Sequence, residues 1–508
     1  MILQLRKVIT KFGKKNLGFL ICLILFYAIA WNFFTFRITQ VPPGINGDEA
    51  AIGYNAVLVA KNGHDQSGRF LPLFISAFDL TDWKQPITFY STALAFRLFR
   101  PSYSLLREVS VIFVLISATL IFFLAKELWG GRQALFSALI FLTIPSILIQ
   151  SHLALENIAP VPFTIFWLWM LAKYKKDFKT KHLLLSALSL GIGLFAYLGM
   201  RLIVPVFLIL SLGYVYYLNK NRNFKKRLSE DLKFFLIVII FPIFMYLVKN
   251  QYPAAILAHN RPQGITSYQQ IILPFISSFD PSFLFIQGDS TPYHSTGKQG
   301  VFLLATLPLF AFGIWRIAQR KDPFLFFILL TFFSTPFLYG LASSIHRGSR
   351  LLVLLPTFTI ITSVGFIDLF NIRPIFLKKL LIAVSLILIV LNYWDFSQDY
   401  FFNYPNRVKS EFSKPYQIVF DKAVSVSASQ NLKLYIQDGF RDQNPIAVDF
   451  FEQVYFADKL KALKGDQPLP SKSIVIVSGF PKEKDKLTQM KLDEGEFGLV
   501  INLTNEPQ

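Results

Sequence analysis

The sequence predicts an all-α, polytopic membrane bundle that ends in a small α/β domain. Three observations carry that expectation. Apolar segments recur along the chain, many near the ~20 helical residues needed to cross a hydrocarbon core. Of the 508 residues, 53% are apolar and only 16% charged, with 55 phenylalanines, whereas a soluble chain of this length exposes far more charge. Short basic clusters alternate with the apolar segments, as they do in cytoplasmic loops.

The apolar segments fall at 17–36, 104–125, 133–149, 157–172, 183–199, 202–218, 234–249, 301–318, 323–341, 351–370 and 379–396. Eleven spans place the N-terminus inside and the C-terminus outside. Loops expected inside carry Lys173, Lys175, Lys176, Lys179 and Lys181, then Lys220, Arg222, Lys225, Lys226 and Arg227, then Arg316, Arg320 and Lys321, then Arg373, Lys378 and Lys379. Only the connection at 126–132 is weakly basic. The stretch 271–286 is apolar too, but a twelfth span would put the later basic loops outside, and Asp280-Pro281 interrupts it. An interfacial or re-entrant segment fits better.

The first segment follows a basic run, Arg6, Lys7, Lys11, Lys14 and Lys15, and is longer than a signal-peptide core. It reads as an uncleaved anchor. The single cysteine, Cys22, lies inside it and excludes intrachain disulfides. The net charge of +20 is spent on topology and anionic lipid, not on nucleic acid. No Walker motif or dinucleotide fingerprint is present, so nucleotide-driven transport lacks support.

Three external regions remain, 37–103, 250–300 and 397–508, and they divide the chain into a membrane domain, 1–396, and an external α/β domain, 397–508. Within the first loop two amphipathic helices are expected at the membrane interface. One starts at Asp48, with Ile52, Ala56 and Val59 aligned, and stops near Gly63; the other starts at Pro86, with Ile87, Tyr90, Leu94 and Leu98 aligned. In the tail, 432–436, 473–477 and 499–503 read as strands and 447–464 as a helix.

Candidate chemistry gathers at the external ends of the spans. Asp48-Glu49 follows the first span; Asp48 could act on protons or simply cap the next helix, and Glu49 could complement its dipole. Lys84, in Asp82-Trp83-Lys84-Gln85-Pro86, could meet a lipid phosphate or snorkel to bulk headgroups. Later external turns hold His152 and Glu156, then Tyr197 and Arg201, then Ser343-Ser344-Ile345-His346-Arg347-Gly348-Ser349-Arg350. Arg347 and Arg350 break the positive-inside pattern, and guanidinium suits phosphate. A polar loop, 287–300, carries Asp289 and His294. External histidines and carboxylates (His64, Asp65, Asp48, Glu49, His294) could bind a divalent metal, though no pair has a strong ligand spacing.

In order and sidedness these motifs resemble the membrane glycosyltransferases of the GT-C fold, in the group of protein O-mannosyltransferases and aminoarabinose transferases. That family has an Asp-Glu pair after its first span and a Lys-Pro-Pro motif opening a later interfacial helix. Here the positions read Asp48-Glu49 and Lys84-Gln85-Pro86, with Gln85 in place of the middle proline. Gly288-Asp289 resembles its Gly-Asp loop, and 346–356 its His/Arg-rich turn before a Leu-Pro span. The likeness covers about 15–370 in layout. It implies an inverting transfer from a polyprenyl-phosphate sugar to an acceptor hydroxyl outside the plasma membrane. Asp48 and Glu49 would be catalytic, Lys84, Arg347 and Arg350 would hold the donor phosphate, and Glu156, Arg201, Asp289 and His346 would contact substrate. The acceptor, whether protein, lipid or glycan, is open. The competing classes are a lipid-linked sugar transporter or flippase, which would place its ionisable groups near the midplane, and a non-catalytic assembly protein.

Overall fold

The structure is a computed structural model. It describes residues 14–78, 82–252, 255–256, 267–337, 345–412, 416–456, 460–464, 467–479, 487–492, 497–505 and 507, without the side-chain surroundings of 14–20 and Cys22. Arg6, Lys7, Lys11, Ser343 and Ser344 lie outside the described residues, as does the end of the 323–341 segment.

Every predicted apolar segment coincides with a helix, but the helices differ in reach. Tyr103–Trp129, Met200–Leu218 and Ile375–Arg407 are long and apolar enough to cross a membrane. Gly131–Leu142 and Pro145–Ser151 make a fourth if taken together, bent by 63°. The sequence reading has one straight span at 133–149; Pro145 breaks it, because the residue before a proline is driven out of the α region, and Ile144 is extended. Other members are shorter, such as Thr180–Gly193 and Pro323–Ser334. The bundle interior is aromatic: Trp167 stacks on Phe207 with centroids 4.7 Å apart. Leu307–Arg320 crosses Leu354–Leu369 at a glycine contact. A Cβ on Gly313 would meet the Ile361 carbonyl at 2.0 Å, and one on Gly365 the Leu309 carbonyl at 2.0 Å, so only glycine lets the two backbones approach so closely.

The first loop is more ordered than two surface helices. Helix Gly47–Asn62 is capped by Asn46, whose side chain accepts from the Glu49 N–H while Glu49 reaches back to the Asn46 N–H. Gly63 ends it in the left-handed conformation at φ 79°. The capping role considered for Asp48 therefore falls to Asn46, two residues earlier. An interfacial position was expected for this helix, but it is enclosed, with Ala50, Ala51, Ile52, Ala56 and Val57 all at 0% exposure. Helix Pro86–Leu98 instead keeps Leu94 and Leu98 exposed and buries Thr88, Phe89, Thr92, Ala93 and Phe96. Between the helices, β1 (Ile75–Phe78) and β2 (Asp82–Lys84) pair antiparallel, with Ile75 opposite Lys84. This ribbon, absent from the sequence reading, delivers Lys84 to the start of the second helix.

After 407 the chain builds a mixed sheet of β3 (Lys433–Gln437), β4 (Lys461–Leu463), β5 (Ser473–Val477), β6 (Leu487–Leu492) and β7 (Phe497–Asn502). Its order is β4-β3-β5-β7-β6, with β4, β3 and β5 parallel and β7 antiparallel to both neighbours. The helix expected over 447–464 runs only Pro445–Tyr455. Phe456 is extended, residues 461–463 form β4, and 457–459 lie outside the described residues. This helix covers Gly47–Asn62: a Cβ on Gly53 would meet the Phe450 ring at 2.7 Å. Phe450, Phe451, Phe420, Ile52, Val57 and Leu106 share one apolar core, so the tail and the first loop bury a common surface.

Candidate active site where the first-loop helices begin

Two adjacent carboxylates have opposite surroundings. Glu49 is fully enclosed. Its Oε1 accepts from Arg107 Nε at 2.9 Å and from the Ala154 N–H at 2.8 Å; its Oε2 accepts from Arg107 Nη2 at 3.0 Å and from the Asn46 N–H at 3.2 Å. Arg107 also donates to the carbonyls of Ile38, Pro42 and Gly44 and lies over the Tyr103 ring at 4.6 Å. The fork therefore gathers the whole segment 38–49. Glu49, expected to be catalytic, has both oxygens occupied and no exposure, and its contacts tie it to the backbone that carries Asp48.

Asp48 lies at the second residue of its helix with 47% of its side chain exposed. Its Oδ1 accepts from Lys84 Nζ at 2.8 Å, and Asp82 Oδ2 accepts from the same nitrogen at 2.6 Å. Lys84 itself is buried. Burial alone would lower its pKa, but the charges of Asp48, Asp82 and Glu156 outweigh that and hold the ammonium above the usual lysine value. Glu156 opens a short 3-10 turn and accepts the Gln85 N–H. Burial pushes its carboxyl up to about 7, against Lys84 and the Gln85 N–H, which favour the charged form.

A second cluster faces this one from later in the chain. Gly288, at φ 78°, sits where a Cβ would strike Ser295 Oγ at 2.5 Å and the Gln299 carbonyl at 2.6 Å. Asp289 Oδ1 accepts from the Thr291 N–H at 2.9 Å and from its hydroxyl; Oδ2 accepts from the Ser349 N–H at 2.9 Å. The Ser290 N–H donates to the His346 carbonyl. The 287–300 loop thus clamps the 346–350 turn. His346 stacks on Phe283 and pairs with Asp280 at 3.3 Å. The Arg347 carbonyl accepts from the Arg350 N–H, while among the described residues its guanidinium has no hydrogen-bond or ion-pair partner. His294 joins the two clusters. Its Nδ1 meets Gln150 Nε2 at 2.9 Å. Burial pushes the imidazole below its usual value; the charges of Asp289 and Asp48 oppose this, and those of Arg347 and Arg350 reinforce it. One ring therefore feels Asp48 from the first loop and both arginines from the last turn.

The remaining expected substrate contacts are committed to protein partners. Arg201 donates to the carbonyls of Ala255 and Ile256 and to Gln85 Oε1. Asp289 is the clamp, and His346 is held by its stack on Phe283 and its contact with Asp280. His152 lies between two carbonyls, Val41 at 2.8 Å from Nδ1 and Phe34 at 2.9 Å from Nε2, and the ring nitrogen that carries the hydrogen donates. Among the described residues no three His, Cys, Asp or Glu side chains converge as a metal site. Sequence reasoning assigned no role to Asp82 or Arg107. Arg107 did leave a signal, as a guanidinium beside Glu108 within a segment expected to span the membrane.

The comparisons with known proteins bear on the fold. Residues 84–248 match the family model for dolichyl-phosphate-mannose-protein mannosyltransferases. The crystal structure of ArnT from Cupriavidus metallidurans bound to undecaprenyl phosphate superimposes with a TM-score of 0.58 at 13% identity, over 96% of this chain and 99% of that one. The apo state of the same protein gives 0.56 at 12% identity, over 97% and 100%. No curated protein sequence matches the chain. With a fold shared end to end and a mannosyltransferase match across 84–248, the chain is a polytopic membrane protein that resembles the GT-C glycosyltransferases of the ArnT and protein mannosyltransferase group.

Proposed function

We propose that the protein transfers a sugar from a polyprenyl-phosphate donor to an acceptor hydroxyl on the extracytoplasmic side of the plasma membrane, with eleven spans and a cytoplasmic N-terminus. The observation that carries this reading is the Asp48–Lys84 pair: an accessible carboxylate held 2.8 Å from a buried ammonium whose charge its acidic neighbours favour. The undecaprenyl phosphate named for ArnT suggests the donor class.

The roles follow from charge. An attacking hydroxyl must lose its proton as it reaches the anomeric carbon, and Asp48 serves as the general base. The leaving group is a phosphate that departs as an anion, so it needs cations rather than an acid. Lys84, Arg347 and Arg350 supply them. In the resting site Lys84 is paired with Asp48; a donor phosphate taking that ammonium frees the carboxylate for the acceptor. Attack opposite the phosphate inverts the anomeric configuration. Glu49 and Arg107 hold Asp48 in place, and Asp289 holds the arginine turn.

Incubation of the purified protein with polyprenyl-phosphate sugars and candidate acceptors, read by mass spectrometry, tests this. A glycosylated acceptor with release of polyprenyl phosphate is expected. Movement of intact lipid-linked sugar across proteoliposomes without any transfer would replace the proposal with the flippase reading.

A further inference from the structure

The start of the second first-loop helix holds polar atoms that no role above uses. Gln85 is the residue before Pro86 and makes no side-chain cap to the helix. Its backbone N–H donates to Glu156 and its Oε1 accepts from Arg201 at 3.1 Å. Its Nε2 is buried and, among the described residues, has no partner. Three residues on, in the first turn of the helix, Thr88 is 1% exposed and its Oγ1 likewise has no partner. Buried amides and hydroxyls in native proteins are almost always hydrogen-bonded, and these two follow Lys84 closely in the chain, where the donor phosphate would bind.

We propose that Gln85 Nε2 and Thr88 Oγ1 form a subsite that hydrogen-bonds a hydroxyl of an uncharged donor sugar. This rests on the transferase reading above. The chemistry selects the group. Nε2 carries hydrogens and needs an acceptor; a hydroxyl oxygen accepts from it and can exchange a second bond with Thr88, whereas a sugar ammonium brings donors only. The phosphate end is fixed by the cations, so this pair reads the sugar rather than the lipid.

The test measures binding to the full-length protein in nanodiscs. The probes are undecaprenyl phosphate alone, undecaprenyl phosphate bearing mannose, glucose or galactose, and undecaprenyl phosphate bearing an aminopentose. Gln85→Glu keeps the Oε1 contact to Arg201 and removes the Nε2 donor; Thr88→Val removes the hydroxyl at constant shape, and Thr88→Ser returns it. At least one neutral lipid-linked sugar is expected to bind the wild type about tenfold or more tighter than the bare lipid phosphate or the aminopentose lipid. Gln85→Glu and Thr88→Val should each erase most of that margin; Thr88→Val should change bare-lipid binding less than about twofold, the Gln85→Glu carboxylate beside Lys84 weakens the bare lipid as well, and Thr88→Ser should restore the margin. Equal weakening of bare and glycosylated lipid would make the pair a packing element, and an unchanged margin would make it a water site; either overturns the subsite alone. Should the wild type bind no glycosylated lipid at all, the transferase reading fails with it.

Discussion

The Arg107–Glu49 pair and the Lys84–Asp48 pair lie one residue apart in the chain, yet they do different work. Both join a cation to a carboxylate of the same Asp-Glu dipeptide. In the first, both side chains are fully enclosed and each carboxylate oxygen accepts two bonds. Nothing is left over for a ligand. In the second, the lysine is buried but its two carboxylate partners are each 47% exposed. A saturated buried pair stabilises a backbone, while a half-open one can exchange a partner. That contrast separates framework from site more firmly than residue type does.

The sharpest way to break the comparison is to unpair the framework. Arg107→Leu strands Glu49 in the interior, and such losses cost about 3–5 kcal/mol; chemical unfolding of the detergent-solubilised protein should show a loss of that order, with activity falling alongside stability. Lys84→Ala should behave differently. On the proposed reading it removes a charge-assisted contact to the donor phosphate, so donor affinity should drop roughly 10- to 100-fold while the far-UV spectrum stays native. If Lys84→Ala weakened only the acceptor, its phosphate role would be wrong. Arg347→Ala removes a more peripheral cation and should weaken the donor by about threefold to tenfold, with a steeper loss at low salt than at high.

The smallest effect concerns Glu156, which sits behind Lys84. Folded, it keeps its proton up to about pH 7; unfolded, it releases it near 4.5. The native state therefore binds more protons in that window, and stability falls as pH rises from about 4.5 to 7. Glu156→Gln should flatten that slope in pH-dependent thermal unfolding, and an unaltered slope would place the titration elsewhere.

The sequence made the open pair legible and hid the closed one. Asp48 and Lys84 stand out as charges just after an apolar segment and just before a proline-opened helix. Glu49 looks equally exposed on paper, because its partner Arg107 is 58 residues away inside a segment that reads as a plain span. The ribbon β1–β2 is three or four residues per strand, too short to show an alternating pattern. In the tail the helical spacing of Phe450, Val454, Ala457 and Leu460 continues past the real stop, since nothing local announces that Phe456 turns extended. The burial of Gly47–Asn62 was invisible for a related reason: its second cover comes from Phe450 and Phe451, some 400 residues downstream.

Asp48→Asn in the otherwise intact protein tests the account most directly, because it removes the proposed base and leaves the capping box, the Arg107 fork and Lys84 standing. Turnover with a polyprenyl-phosphate sugar should fall by about 10²- to 10⁴-fold, with donor binding and unfolding midpoint close to wild type. Turnover within a few-fold of wild type would contradict Asp48 as the proton acceptor and, with it, the distinction between the open and the closed pair.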